Sequence, residues 1–112
     1  MAEFDLRSYV DEHGRVPFEA WILGLDRQAQ AKVTIALSRL QRGNLSNVKG
    51  VGEGVFEVKL DWGPGYRVYF GRDGKTIVIL LCGGTKKRQS RDIAAAKSHW
   101  ADYKARRSAR PR

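Results

Sequence analysis

The sequence predicts an α+β fold, with an N-terminal helix hairpin packed on a small antiparallel β-sheet and a C-terminal helix closing the chain. Two observations support this prediction. Apolar residues recur every three or four positions up to residue 43 and again beyond residue 90, which indicates amphipathic helices. Between these regions apolar residues alternate with polar ones or form a continuous run, which indicates strands. At 112 residues the chain has the length of a single domain.

A short strand and two helices come first. We expect a strand over residues 4–9, ended by the polar turn at residues 11–14. Pro17 favours the first position of a helix, and Asp26 is expected to cap a second helix that ends at Gly43. The apolar stripes of the two helices are Phe18, Trp21, Ile22 and Leu25, then Ala29, Val33, Ala36, Leu37 and Leu40.

Three strands follow the helices. Residues 56–60 and 66–71 alternate in polarity and flank the tight loop at residues 63–65, which predicts a hairpin with one solvent-facing side. The Asp-Gly pair at residues 73–74 predicts a two-residue turn into a third strand. Residues 76–82 are apolar at nearly every position, so we expect this strand to be covered on both faces and to end at the next two glycines.

The basic side chains are concentrated at the C-terminal end. The chain has a net charge of +9, and residues 86–112 carry 10 basic and two acidic side chains, against 11 and 10 in residues 1–85. A last helix is expected from Ser90 or Asp92, with the apolar stripe Ile93, Ala96, Trp100 and Tyr103 and a flexible basic tail at about residues 106–112. A field of this sign attracts polyanions such as RNA or DNA, although a solvated tail that aids solubility is the alternative.

The first hairpin predicts an anion site. If residues 61–65 form its loop, Leu60 pairs with Tyr66, and Lys59 lies opposite Arg67 on the face away from the apolar residues. Like charges directly opposite one another destabilise a sheet, and an anion between them would remove that penalty.

The second hairpin extends this basic site. A two-residue turn would place Leu80 beside Arg67 and direct the chain beyond Cys82 towards Lys86 and Lys87. Lys59, Arg67, Lys86 and Lys87 could therefore converge, bind a phosphodiester and stabilise the charge that develops during its cleavage. The alternative, which the residues leave open, is that Glu57, Asp61 or Asp92 neutralises these cations in ion pairs.

Several other side chains are weaker candidates for the same site. Tyr69 shares a face with Arg67, and Trp62 at the loop tip could stack on a base. His99 could act as an acid or base, whereas Asp92 is expected to cap the last helix or to favour its dipole. Arg88 and Arg91 add positive charge beside Lys87 as further candidate RNA contacts. No spacing typical of metal ligands is found, and no cofactor is expected.

Two features favour a cytoplasmic location. The N-terminus lacks the basic and apolar regions of a secretory signal, and no apolar run approaches the length of a membrane span, so we expect no membrane association. The single cysteine, Cys82, lies in an apolar run and is expected to be a reduced, buried thiol.

Three segments resemble those of a known family. They are Val-Lys-Gly-Val-Gly-Glu-Gly-Val-Phe-Glu-Val-Lys at residues 48–59, Gly-Pro-Gly-Tyr-Arg-Val-Tyr-Phe at residues 63–70, and Ile-Leu-Leu-Cys-Gly-Gly-Thr-Lys at residues 79–86. They resemble the RelE/ParE toxin superfamily, and within it the phage-derived Gp49-like branch, also called HigB-type or addiction module killer proteins. The resemblance extends over nearly the whole chain, including both helical regions.

The resemblance implies a function and a set of partners. Members have a microbial-ribonuclease-like α+β fold and act as toxins of type II toxin–antitoxin systems. Many cleave messenger RNA in the ribosomal A site without a metal, the RNA 2′-hydroxyl attacking the adjacent phosphate. The implied partners are the ribosome, messenger RNA and a cognate antitoxin, often a helix-turn-helix protein, through which alone the chain would reach operator DNA.

The resemblance also implies residue roles. Lys59, Arg67 and Lys86 take the positions of the basic residues that stabilise the reacting phosphate, with Lys87 as a neighbour. Two positions depart from the family pattern. The first is Glu57, which stands where some members have a lysine, and the second is Asp92. No histidine or tyrosine adjoins Asp92, where some members have the general acid. Asp92 is itself a candidate acid or base at this position: an ionised carboxylate could act as a base or orient a group, and it could act as an acid only if its pKa is raised. We expect Arg67→Ala to abolish activity and to leave the fold intact.

Two alternative functions remain at this point. The ParE side of the superfamily poisons DNA gyrase and lacks nuclease activity, so the chain could be a gyrase poison. It could also be a non-catalytic nucleic-acid-binding module whose affinity depends on the arginine-rich segment 104–112, in which case binding would show a steep salt dependence without turnover.

Overall fold

A computed structural model describes residues 3–109. It confirms the α+β fold, with two helices, four consecutive strands and a long final helix after the first strand. The elements are β1 (Asp5–Ser8), α1 (Pro17–Leu23), α2 (Arg27–Gln41), β2 (Val48–Gly52), β3 (Val55–Leu60), β4 (Tyr66–Asp73), β5 (Ile77–Thr85), a 3₁₀ turn (Lys86–Arg88) and α3 (Gln89–Ala109).

The helix boundaries follow the predicted capping residues. Asp26 accepts a hydrogen bond from the Ala29 amide at 2.8 Å and so caps α2. Gly43 adopts a φ of 89°, a conformation that glycine tolerates without strain, and it ends the helix. Arg106 and Arg107, the first residues of the predicted flexible tail, belong to α3 and pair with Asp102 and Asp73. Residues 110–112 of that tail lie outside the described residues.

The five strands form one sheet in the order β1-β5-β4-β3-β2. Neighbouring strands are antiparallel except β1, which runs parallel to β5, so the prediction of a wholly antiparallel sheet is wrong at this edge. The sequence prediction also missed β2. Its two glycines and its lysine obscure any alternation, and it is the pairing of its backbone with β3 that makes it a strand.

Both faces of the sheet are covered. One core lies between the sheet and the α1–α2 hairpin and includes Phe18, Val33 and Val68. The other lies under α3 and includes Leu81, Ala96 and Trp100. The prediction of a solvent-facing side on the β3–β4 hairpin is therefore wrong, because α3 covers that face.

The pairing of β4 with β5 differs from the prediction. Arg67 lies beside Gly84, not beside Leu80. The loop consists of residues 74–76 and not of residues 73–74, because Asp73 pairs with Ile77, and this moves the register by three residues. A bulge after Tyr69 moves it by one more. As a result β5 continues through both glycines to Thr85 and brings the start of α3 over Arg67.

Candidate active site

The β3–β4 hairpin has the predicted register, with Leu60 opposite Tyr66 and Lys59 opposite Arg67. The two cations nevertheless have different environments. Arg67 is only 5% exposed, whereas Lys59 is exposed and its ammonium group lies 3.6 Å from an Asp61 carboxylate oxygen. The pairing of Lys59 with Asp61 is one of the neutralising contacts that the sequence left as an alternative.

Arg67 is held beneath α3 by two contacts. Its Nε lies 3.6 Å from a carboxylate oxygen of Glu57, which is 1% exposed. Its Nη1 donates a hydrogen bond to the Gly65 carbonyl at 3.1 Å. Glu57 is held in turn by Gln89 at the start of α3, whose side-chain amide lies 3.4 Å from the other carboxylate oxygen. Arg67 and Glu57 are therefore a buried ion pair, and each depends on the other for charge compensation.

Glu57, Arg67, Tyr69 and Asp92 form what we call the buried polar cluster. Three of its atoms are buried and have no hydrogen-bond partner among residues 3–109, namely Arg67 Nε, Tyr69 Oη and Asp92 Oδ2. Buried polar groups in folded proteins are nearly always satisfied, and exceptions commonly mark functional sites or places for water or ions. Arg67 Nε and Tyr69 Oη are hydrogen-bond donors at neutral pH, and Asp92 Oδ2 becomes a donor when the carboxyl group is protonated.

Asp92 lies closer to the sheet than a side chain on β5 would allow. A Cβ atom at Gly84 would lie 1.8 Å from Asp92 Oδ2, so only glycine leaves room for the carboxyl group. Burial raises the pKa of Asp92 above its ordinary value, although Arg88 and Arg91 act in the opposite direction. Asp92 lies in the first turn of α3, as predicted, where the helix dipole stabilises a negative charge.

Tyr69 is fully buried between β3 and β5 under α3. Burial raises the pKa of its hydroxyl above the ordinary value, and the nearby carboxylates Glu57 and Asp92 add to this effect. The hydroxyl is thus a hydrogen-bond donor at neutral pH, and it does not border solvent as the sequence suggested.

Exposed basic side chains lie on the segment that connects β5 to α3, next to the cluster. Lys86, Lys87 and Arg88 form the 3₁₀ turn, and Arg91 follows on α3, all four of them exposed. The Lys86 amide donates to the Gly65 carbonyl at 2.8 Å, the same oxygen that Arg67 uses. A Cβ atom at Gly65 would lie 3.5 Å from Arg67 Nη1 and 3.3 Å from Lys86 Cβ, so Gly65 packs closely against both residues.

The remaining candidates lie elsewhere. His99 stacks on Tyr9, with ring centroids 4.9 Å apart, and burial lowers the pKa of its imidazole. It is seven residues from Asp92 on α3, about 10 Å along the axis, and is not part of the cluster. Trp62 stacks on Tyr66 at the far side of the β3–β4 loop. Burial raises the pKa of the Cys82 thiol to about 12, as expected for a buried, inert cysteine.

The sequence analysis missed the positioning role of Gln89 and undervalued Glu57. Alternation within β3 and β4 places Glu57 on the same face as Arg67, so the signal for this ion pair was present in the sequence. Gln89 carried no such signal, because the predicted register ended β5 too early and displaced the start of α3.

The arrangement can bind and polarise an anion. Arginine and tyrosine donors beneath a basic rim suit a phosphate group. A carboxyl group with a raised pKa can deliver a proton to a leaving oxygen. No group of three or more His, Cys, Asp or Glu side chains that could hold a metal ion occurs in the described part of the chain. No helix between residues 3 and 109 is both long and apolar enough to cross a membrane.

Comparison with known proteins identifies relatives of this chain. Residues 20–101 match the family described as "Phage derived protein Gp49-like". An uncharacterised protein of Haemophilus influenzae is 44% identical over 81 residues, which cover 71% of this chain and 82% of that protein. Among solved structures, a double arginine-to-alanine mutant of the E. coli toxin RelE in the free state superposes with a TM-score of 0.62. It is 18% identical, and the match covers 88% of this chain and 96% of the other.

Proposed function

This chain belongs to the phage-derived Gp49-like family and shares the fold of the toxin RelE. From these facts and the buried polar cluster we propose that it is the toxin of a toxin–antitoxin pair, an endoribonuclease that cleaves messenger RNA on the ribosome. A cognate antitoxin would hold it inactive in the cytoplasm. The observation that carries the proposal is the set of unpartnered buried atoms of Arg67, Tyr69 and Asp92 beneath a cationic rim.

The proposed reaction uses these groups in defined roles. The RNA 2′-hydroxyl oxygen bonds to the adjacent phosphorus and its proton passes to water, while the bond from phosphorus to the 5′ oxygen breaks, leaving a 2′,3′-cyclic phosphate and a 5′ hydroxyl. Arg67 and Lys86, whose guanidinium group and backbone amide share the Gly65 carbonyl, stabilise the charge on the phosphate oxygens. Protonated Asp92 donates its proton to the leaving 5′ oxygen, which its raised pKa favours. Lys59, Lys87, Arg88 and Arg91 hold the RNA backbone.

The test is mapping of RNA 5′ ends after incubation of a defined messenger RNA with the purified protein, with and without programmed ribosomes. The expected result is cleavage at fixed codon positions, with ribosomes only. Cuts on free RNA would contradict the ribosome dependence. A folded, antitoxin-free protein that produces no cuts under either condition would overturn the proposal.

The variants must take the ion pair into account. Removing Arg67 alone leaves Glu57 as an unpaired buried charge, which typically destabilises a protein by about 3–5 kcal/mol. Arg67→Ala could therefore lose activity because the protein unfolds, so a second variant that keeps the fold is required. Glu57→Gln with Arg67→Gln removes both charges together, and exposed Lys86→Gln leaves the pair in place. We expect the double variant to fold and to lose cleavage, and Lys86→Gln to reduce it at least tenfold.

A second candidate function has one specific observation in its favour. The Glu57–Arg67 ion pair already neutralises the principal cation of the proposed site, which suits a chain that does not cleave RNA. A gyrase supercoiling assay distinguishes the two functions. Inhibition of supercoiling by a protein that makes no RNA cuts would favour the gyrase poison.

A further inference from the structure

A separate pocket lies between α2 and the end of β3. Its volume is about 340 Å³, within the range of small-ligand sites. Lys32 and Arg39 contribute from α2, Asn44 and Asn47 from the loop that follows, and Trp62 from the β3–β4 loop. Lys59 and Asp61 also line it, so the pocket combines three cations, one carboxylate, two amides and an aromatic ring, and the buried polar cluster contributes no residue to it.

The charge of this pocket favours an anionic ligand. Lys32 and Arg39 are exposed, and neither forms an ion pair within the described chain. The acidic side chain at the rim, Asp61, is engaged by Lys59 at 3.6 Å. Lys32 and Arg39 are seven residues apart on one face of α2, so they suit two successive phosphates better than one.

The ring at the pocket is held in place before any ligand binds. Trp62 stacks on Tyr66 with a centroid distance of 6.1 Å and an angle of 27°. Lys32 Nζ lies 5.7 Å from the Trp62 centroid, on a flexible side chain that can turn to a phosphate. A fixed ring beside cations is the arrangement by which single-stranded RNA is bound, with bases stacked on aromatics and read by side-chain amides.

The pocket and the buried polar cluster flank one loop. The Trp62 carbonyl accepts a hydrogen bond from the Gly65 amide at 3.1 Å. The Gly65 carbonyl accepts from Lys86 at 2.8 Å and from Arg67 at 3.1 Å. An extended RNA strand laid across this loop would reach both places.

We propose that this pocket binds one unpaired nucleotide of RNA, with its base on Trp62 and its flanking phosphates on Lys32 and Arg39. The proposal rests on the proposed function only in the choice of RNA as the ligand. An acidic protein segment would use the same cations but would have no use for the ring and the amides.

The test measures binding without cleavage. A labelled hexanucleotide of 2′-O-methyl RNA lacks the attacking hydroxyl, so its fluorescence anisotropy reports affinity independently of catalysis. We expect Lys32→Gln with Arg39→Gln to weaken binding at least tenfold at fixed salt. Arg27→Gln with Arg42→Gln removes the same charge at the first residue of α2 and at the residue that follows its end, both outside the pocket, and we expect less than a twofold change.

The stacking contact has its own control. We expect a hexanucleotide with one abasic position to bind about tenfold more weakly than the intact one, and Trp62→Leu to abolish this difference. Equal losses in the two double variants, or equal affinity for the abasic strand, would overturn the proposal. A third outcome would also overturn it: poly-glutamate competes with RNA, and only the Lys32→Gln, Arg39→Gln variant binds poly-glutamate more weakly. The pocket would then be a site for an acidic protein. Since no step requires cleavage, a failure to cut messenger RNA would leave this result standing.

Discussion

At the scale of single residues, burial of the Asp92 carboxyl group affects stability and catalysis in opposite directions. The folded chain holds the pKa of Asp92 above its unfolded value because burial disfavours the charged form. Ionisation therefore favours the unfolded chain. The resulting loss of stability is present above the folded pKa and disappears as the pH falls below the unfolded pKa.

We predict that Asp92→Asn stabilises the protein at pH 7, since a neutral amide is less costly to bury than a carboxylate. The gain should begin to shrink as the pH falls through the raised pKa of folded Asp92, and it should be gone below the ordinary pKa of aspartate. Urea unfolding from pH 4 to 8 measures it. The same variant should lower the cleavage rate by about 10²–10⁴-fold if Asp92 is the general acid. A loss of stability at pH 7 would show instead that the carboxylate makes a stabilising contact.

At the scale of secondary-structure elements, glycines in β4 and β5 allow the helices to approach the sheet. A Cβ atom at Gly71 would lie 2.5 Å from the Trp100 indole of α3, and one at Gly83 would lie 2.3 Å from Trp21 of α1. Gly84 makes the corresponding room for Asp92. Gly83 and Gly84 therefore do not end β5, as the sequence predicted, but let side chains of the helices pack closely against the strand.

We predict that Gly71→Ala lowers the free energy of unfolding by about 1–3 kcal/mol, the usual penalty for overpacking, because Trp100 must move. Gly50→Ala in β2 is the matched control. There the added Cβ atom would meet only the Phe56 ring at 3.8 Å, an ordinary contact. We expect this control to be neutral or slightly stabilising, since alanine loses less conformational freedom on folding. Equal effects in urea unfolding would contradict the packing role of Gly71.

The same elements show how far the sequence could lead. Local signals gave both helices of the hairpin, the cap at Asp26 and the β3–β4 register, because each depends on neighbouring residues. The β4–β5 register depends on a three-residue loop at residues 74–76 and on the bulge after Tyr69, and no short-range pattern revealed either. That error separated Gly84 and the start of α3 from Arg67, so the sequence named Asp92 as a candidate acid or base but did not place it beside the basic residues.

At the scale of the whole molecule, the charge is divided between two regions. The basic residues beyond position 85 include a rim of exposed cations around the buried polar cluster, whereas the preceding part is nearly balanced. A field of this kind increases the rate of encounter with RNA and lets phosphate contacts position the strand. The field itself supplies none of the proposed cleavage chemistry, which we assign to the buried polar cluster.

Salt dependence therefore separates the two contributions. We predict that replacing Lys87, Arg88 and Arg91 together with glutamine lowers the slope of log affinity against log salt by about 2, since each contact to single-stranded RNA contributes about 0.7. The measurement is a salt titration of the 2′-O-methyl hexanucleotide. Glutamine at Arg27, Arg42 and Lys75 removes the same charge from other exposed positions and should leave the slope nearly unchanged. An equal reduction of the slope in both variants would mean that RNA binding depends on the net charge of the molecule. Substitutions outside the rim could not lower the slope if the phosphate contacts were confined to the rim.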